Sequence, residues 1–458
     1  MDPLPLLNLF TKRASQQAKL GGNVWPLNAP THSPHTLDVT DHFAAAFDTL
    51  AAVCETSHRI AMTVTLPPDE RMIIALAENR CEVENTVEFL QSLWSALKCL
   101  RGNSGSVEKR NDIFVIAYRH GFHRLKQHVS SMWMDAMHFY GFWETSTTKS
   151  GDESIHGELR AAFRILSRVF DSLTRTDTSN PVQMVDLVTQ IHSLYAHCEV
   201  LSNARAILRQ WCNDYEQAFN GTARFPLRRY FTGCLALYIN IVSLIDVMDK
   251  TEFDDMFCRT LRIKAIQPVI VTLDYPLDKS FYESYLDDIL DRCEILAAKN
   301  SKLWQALEGE ITHAIATANE MKSATIHCEL RLLSFHQNQR LVSTPEEEVG
   351  TETATPPQNY IATSQPPCYA CAVFMDAYRS ELADVFDRMC TQAQSANPRL
   401  QVPWAMPKLG NAEVDRSVQR TVFMMICLDY AKFIGQQFGY RLPRSTQITF
   451  KRNWQYNR

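Results

Sequence analysis

Apolar residues recur at spacings of three and four up to about residue 270, the period of helices with one buried face. The clearest stripe is Val83, Val87, Leu90, Leu93, Trp94, Leu97 and Leu100. A second runs through Ala44, Phe47, Leu50, Ala51 and Cys54 behind a Thr40-Asp41 cap, and a third through Leu159, Phe163, Leu166, Phe170 and Leu173. Thr63–Pro68 breaks the pattern. Pro67-Pro68-Asp69-Glu70 then reads as a helix opening, because proline and acids suit a first turn. Asn111–Glu144 reads as a long aromatic helix, with Gly121 and Gly141 as its candidate interruptions. Ser179-Asn180-Pro181 opens another that reaches about Phe219 and closes on Asn220-Gly221. Pro226–Lys250 is the most apolar segment, and Phe253–Ile266 adds one more helix. Antiparallel helices joined by short loops are the expectation for this region.

From about Asp278 the pattern mixes periods. Val269–Leu273 is β-rich and reads as a strand at the junction. Phe281–Ala298 and Ser301–Met321 read as helices, and Lys322–Ile326 as a short strand leading into a helix over Glu329–Gln339. Ser343–Gln358, rich in Thr, Pro and Glu, reads as a surface loop. Asn359–Ser364 is strand-like, Met375–Gln392 helical, Leu400–Met406 a strand, and Asp415–Phe438 a helix. The chain therefore divides into a partly ordered arm over 1–37, an all-α region over 38–275 and an α/β region over 276–458.

Composition narrows the class only a little. The 458 residues are 45% hydrophobic and 21% charged, ordinary for globular domains. A net charge of −5 argues against a non-specific nucleic-acid coat, which works by neutralising phosphates, but leaves room for a local basic groove. The 13 cysteines are scattered rather than set in a disulfide framework, as suits buried thiols in a reducing compartment. Met1–Phe10 has no basic start of the secretory kind. The most apolar run, Cys234–Met248, is interrupted by Asn240, Ser243 and Asp246 and falls short of the roughly 20 residues that span a bilayer. A buried helix, no membrane span and a place in the cytoplasm or nucleus are the expectations.

Candidate chemistry gathers in two clusters, Ile326-His327-Cys328-Glu329-Leu330 and Pro366-Pro367-Cys368-Tyr369-Ala370-Cys371. They spell H-x-E followed by P-C-x-x-C, the signature of zinc-dependent base deaminases. One imidazole and two thiolates fill three corners of a tetrahedron around Zn²⁺, and the fourth stays open for water. A carboxylate that is not a ligand can shuttle the proton. The candidate ligands are His327, Cys368 and Cys371, and the candidate catalytic group is Glu329. Residues two apart share a side of a strand but lie roughly 200° apart on a helix, so His327 and Glu329 are expected at a strand-to-helix junction. Cys368 and Cys371 share one face of a helical turn opened by Pro366-Pro367, where the helix dipole favours thiolates. A structural site with Cys328 as fourth ligand stays open as the alternative. His197-Cys198-Glu199 repeats the first half of the signature, but no P-C-x-x-C follows it. His120, His123 and His128 read as helix polar groups rather than ligands.

"IHCELRLL" and "CYACAVFMDAY" resemble the cytidine deaminase-like superfamily, and the arrangement is similar to the nucleic-acid/nucleotide deaminase-like proteins expanded in fungi. The resemblance covers His327–Tyr378, with weaker support towards Trp404. It implies an α/β/α three-layer domain behind the helical region, Zn²⁺ at His327, Cys368 and Cys371, and proton transfer by Glu329. The implied activity is hydrolytic deamination of a nucleobase in a nucleoside, nucleotide or nucleic acid, by zinc-bound hydroxide. Relatives commonly carry alanine where Cys328 stands. They also place a strand hairpin before H-x-E, and no two convincing strands stand between Asp278 and Ile326.

Two partners are expected beyond the nucleobase substrate. The tail over Arg441–Arg458 interleaves Arg441, Arg444, Lys451, Arg452 and Arg458 with Phe450, Trp454 and Tyr456. That composition suits single-stranded nucleic acid, but a final edge strand, Gln447–Phe450, with a solvated end is the preferred reading. The helical region is a candidate surface for a protein partner. A non-catalytic interaction protein that keeps the zinc site for structure remains the rival to the enzyme.

Overall fold

A computed structural model describes residues 3–7, 9, 39–56, 58–79, 83–101, 106–146, 153–273, 278–292, 301–342, 360–382, 401 and 403–438. The chain divides into two compact units that do not follow its order. One comprises Val39–Arg59 and Glu84–Thr260. The other comprises Met1–Asp38, Ile60–Val83 and Leu261–Arg458. The breaks fall after Asp38, Arg59, Val83 and Thr260, so a short piece of early sequence, Ile60–Val83, belongs with the C-terminal half.

The first unit is helical. It holds α1 (Val39–Cys54), α2 (Val83–Arg101), α3 (Val107–Ser131), α4 (Trp133–Thr145), α5 (Glu153–Arg175), α6 (Pro181–Asn203), α7 (Arg205–Ala218), α8 (Leu227–Met248), a 3-10 turn at Thr251–Phe253 and α9 (Asp254–Cys258). The Asn180 side chain caps α6 by accepting from the Val182 and Gln183 N–H groups. α8 packs against α1, α3 and α6, with Tyr230, Cys234, Ile241 and Leu244 buried. Among the described residues, Leu227–Val247 is the one stretch long and apolar enough to cross a membrane by length and composition alone. Its packing is that of a core helix.

Two long helices expected from the pattern are each broken once, at Met132 and at Ala204. Gly121 and Gly141 do not interrupt anything. A Cβ on Gly121 would lie 2.7 Å from Leu237 Cδ2, and one on Gly233 would lie 2.1 Å from His128 Nε2. These glycines let α3 and α8 approach closely, a packing use that resembles punctuation in the sequence. Gly233→Ala is expected to destabilise this unit by about 1–3 kcal/mol. Gly157→Ala, where a Cβ meets nothing within 4 Å, should be neutral or stabilising by up to about 1 kcal/mol. Paired thermal melts of the two variants check this, and equal melting temperatures would contradict it.

The second unit contains the hairpin that seemed to be missing. β1 (Ile60–Thr65) and β2 (Arg71–Glu78) pair antiparallel, from Ile60↔Glu78 to Thr65↔Ile73. This corrects the reading of Thr63–Pro68 as a break and of Pro67–Glu70 as a helix start. Those residues lie in the hairpin loop, where Glu70 takes a left-handed φ of 58° and Arg71 Nε donates to Asp69 Oδ2 at 2.7 Å. β1 is buried from Ile60 to Val64, so the polar/apolar alternation that marks a half-buried strand is absent.

Only Asp254–Cys258 of the helix expected over Phe253–Ile266 is α-helical, and β3 (Thr260–Ile266) replaces the rest; its exposure alternates along Thr260–Lys264. β4 (Ile270–Thr272) and β5 (Ser323–Thr325) fulfil the two short strands expected around them, and pair antiparallel with each other. β6 (Ala362–Thr363) pairs antiparallel with β1, which completes a four-stranded sheet in the order β3-β2-β1-β6. The region up to about residue 270 is therefore not all-α.

The helices of this unit are α10 (Lys279–Arg292), α11 (Lys302–Glu320), α12 (Cys328–Val342), α13 (Tyr369–Leu382) and α14 (Ala412–Phe438). α12 packs on β1 and β2. A buried Thr63 Oγ1···His336 Nε2 hydrogen bond of 2.7 Å fixes its register. The buried Arg331 guanidinium donates to the Glu78 and Ile266 carbonyl oxygens, tying α12 to the ends of β2 and β3. α13 packs on α14, where Tyr369 Oη donates to Asp429 Oδ2 at 3.1 Å. Gln401 and Pro403–Met406 form no strand, contrary to expectation. The expectations for Ser343–Gln358, for 383–392, for the tail from Arg441 and for most of the arm over 1–37 lie outside the described residues.

Candidate metal centre

Two helix N-termini build the site. β5 ends at Thr325, and α12 starts at Cys328. His327 occupies the N-cap position, its carbonyl accepting from the Arg331 N–H at 3.0 Å, so Glu329 falls in the first turn. This is the strand-to-helix junction that the H-x-E spacing demands. The second half repeats the device. β6 is anchored to β1 by Ser364, whose N–H donates to the Ile60 carbonyl at 2.9 Å and whose Oγ accepts from the Ile60 N–H at 3.1 Å. Pro366 and Pro367 follow, Cys368 takes the N-cap position of α13, and Cys371 lies in its first turn.

His327, Cys368 and Cys371 are brought together and buried, their donor atoms all within 4.8 Å of one another. His327 Nδ1 lies 3.2 Å from Cys371 Sγ and 3.5 Å from Cys368 Sγ, and the two sulfurs are 3.5 Å apart. Ligands on one tetrahedral Zn²⁺ would be separated by about 3.5–3.8 Å, given Zn–S near 2.3 Å and Zn–N near 2.0 Å. A few tenths of an ångström of outward movement accommodates the ion, and the donor set is consistent with zinc. It is the one such cluster found among the described residues.

The surroundings favour a cation there. The hydrogen bond shared with the Cys371 thiol holds Cys368 down at about 5, and the His327 imidazole acts in the same direction. Burial pushes the Cys371 thiol up. Two buried sulfurs and the Glu329 carboxylate beside them, only 2% exposed, favour positive charge at this place. Glu329 Oε1 is buried with no hydrogen-bond partner among the described residues.

Cys328, the alternative fourth ligand, is not part of the group. Its thiol donates to Glu329 Oε2 at 3.2 Å. Nor does the repeated motif make a site: His197 Nδ1 pairs with Glu158 Oε2 at 2.6 Å, and burial pushes Cys198 up to about 12. His120 stacks on Phe89 and bonds the Cys54 carbonyl, while His128 bonds that of Tyr230.

Two contacts to the centre went unread in the sequence. Trp404 Nε1–H donates to Cys371 Sγ at 3.4 Å, and Asn79 Oδ1, just past β2, accepts from the Cys328 N–H at 2.8 Å. The first was hidden because Trp404 stood within an expected strand, the second because β2 was read as helix. A hydrogen bond to a ligand sulfur tunes and orients it. Trp404→Phe is therefore expected to weaken zinc affinity roughly tenfold or more, measured by competition with a chromophoric chelator. Unchanged affinity would reduce Trp404 to packing.

Residues 326–408 match the family model described as OTT_1508_deam-like deaminase. No curated protein and no solved structure matches the chain. The matched span holds His327, Glu329, Cys368, Cys371 and Trp404, while the hairpin and the helical unit lie outside it. The segment that carries the candidate metal ligands is thus similar to a family of deaminase-like domains.

Proposed function

We propose that this protein is a zinc-dependent hydrolytic deaminase of a nucleobase, free, in a nucleotide or in nucleic acid. The observation that carries the reading is the convergence of His327 Nδ1, Cys368 Sγ and Cys371 Sγ beside a buried carboxylate with one oxygen unpartnered, inside a segment that matches a deaminase family. His327, Cys368 and Cys371 would hold the ion. When bound, Zn²⁺ supplies Lewis acidity that activates water at neutral pH for attack on an amidine-like ring carbon.

The chain's own residues do the rest. Glu329 accepts a proton from the attacking water and returns it to the departing amine, so water is consumed and ammonia leaves. Asn79 and Arg331 fix the start of α12 against the sheet and so hold Glu329 in place. Trp404, 1% exposed, orients the Cys371 sulfur and walls off solvent. The three-layer α/β/α arrangement belongs to the same proposal and is supported by α12 packing on β1 and β2.

The test is ammonia release from a panel of bases, nucleosides, nucleotides and single-stranded oligonucleotides by the zinc-loaded full chain. Release from at least one class is expected. Silence across the panel with zinc bound would overturn the enzymatic reading.

A further inference from the structure

The motif leaves one side chain without a task. Cys328 stands between the candidate ligand His327 and the candidate proton carrier Glu329, and is only 1% exposed. Neighbours in sequence do not normally face each other on a helix, since successive side chains are about 100° apart. Here they meet. The Cys328 thiol lies 3.2 Å from Glu329 Oε2 and donates to it. The backbone of the same residue is pinned from outside the helix, its N–H held by Asn79 Oδ1 at 2.8 Å. That bond also satisfies one of the donors a helix leaves open at its first turn. Cys328 is therefore fixed at both ends, with its sulfur towards the carboxylate rather than towards His327, Cys368 and Cys371.

The two oxygens of Glu329 are consequently unlike. Oε2 is occupied by the thiol, and Oε1 is buried with no partner among the described residues. A carboxylate held by one oxygen cannot rotate freely, and its second oxygen stays available for a proton in transit. An alanine in this position offers the backbone N–H but no side-chain donor. The geometry points to Cys328 as a positioning residue, whose thiol holds Glu329 Oε2 so that Oε1 is left to carry the proton. The inference rests on the proposed deaminase function for its catalytic consequence, but not for the contact itself.

The experiment has two arms on the zinc-loaded full chain. The first is infrared difference spectroscopy of wild type against Cys328→Ser, which isolates the Cys328 S–H stretch among the cysteines. Glu329→Gln should shift that band, because a neutral amide oxygen accepts more weakly than a carboxylate. The second arm is steady-state ammonia release from whichever panel compound turns over. Cys328→Ala should lower kcat about fivefold to tenfold, the worth of one hydrogen bond, with KM and zinc content unchanged. Cys328→Ser, which restores a donor, should recover most of the loss. Adding Cys328→Ala to Glu329→Gln should change nothing further. An S–H band indifferent to Glu329→Gln, or a Cys328→Ala enzyme with wild-type kcat, overturns the proposal. If wild type deaminates no panel compound, the functional reading falls, and the infrared arm alone still decides whether the thiol holds the carboxylate.

Discussion

Glu329→Ala should leave zinc bound and lower ammonia release roughly a hundredfold to ten-thousandfold, the range for removing a positioned proton carrier. Glu329 is outside the donor cluster, so truncating it removes no ligand. It also removes a buried carboxylate with an oxygen that has no partner among the described residues, so the fold should hold, and zinc content is the control. Glu329→Gln keeps the shape and the acceptor for Cys328 but cannot cycle a proton, and should be equally slow. Activity within a few-fold of wild type in both variants would remove Glu329 from the chemistry.

The second large effect concerns folding. A fragment of residues 276–458 contains the deaminase-like match but only one strand of the sheet, β6, since β1, β2 and β3 all lie earlier. It should fail to fold and fail to hold zinc. The hairpin supplies more than area. It contributes the buried faces of Ala61, Ala75 and Ala77, the Thr63 bond to His336, the Asn79 contact to Cys328, and the carbonyl of Glu78 that receives Arg331. Arg331 without those carbonyls loses charge-assisted hydrogen bonds worth about 1.5–3 kcal/mol each. A chain that joins 60–83 to 261–458 through a flexible Gly/Ser linker keeps the four strands and should fold with zinc. Circular dichroism melts and metal analysis of the two fragments check this. A folded, zinc-loaded 276–458 would contradict the account.

The donors themselves were legible because their chemistry is local. H-x-E and P-C-x-x-C each place two groups within one turn, so their spacing predicted the junction at His327 and, with Pro366-Pro367, the helix start at Cys368. The short strands at Ile270–Thr272 and Ser323–Thr325 were legible for the same reason. The hairpin was not. β1 and β2 are buried over most of their length and so show no alternation, and the Pro-Pro-Asp-Glu loop carries the marks of a helix start. Nothing local announces that Cys328 will meet Asn79, 249 positions away. Such a pairing is fixed by the sheet, and the helical unit stands between its two halves in sequence. Tertiary packing also decided the role of Gly121, which serves close helix contact rather than a chain break.

The most direct test of the centre is zinc-edge X-ray absorption on the purified full chain. The account predicts one zinc with two sulfur neighbours at about 2.3 Å and two lighter neighbours at about 2.0 Å, one from His327 and one from solvent. Cys368→Ala should abolish that signal. Protein that binds no zinc while folding normally, or zinc ringed by three or more sulfurs with Cys328 among them, would contradict it.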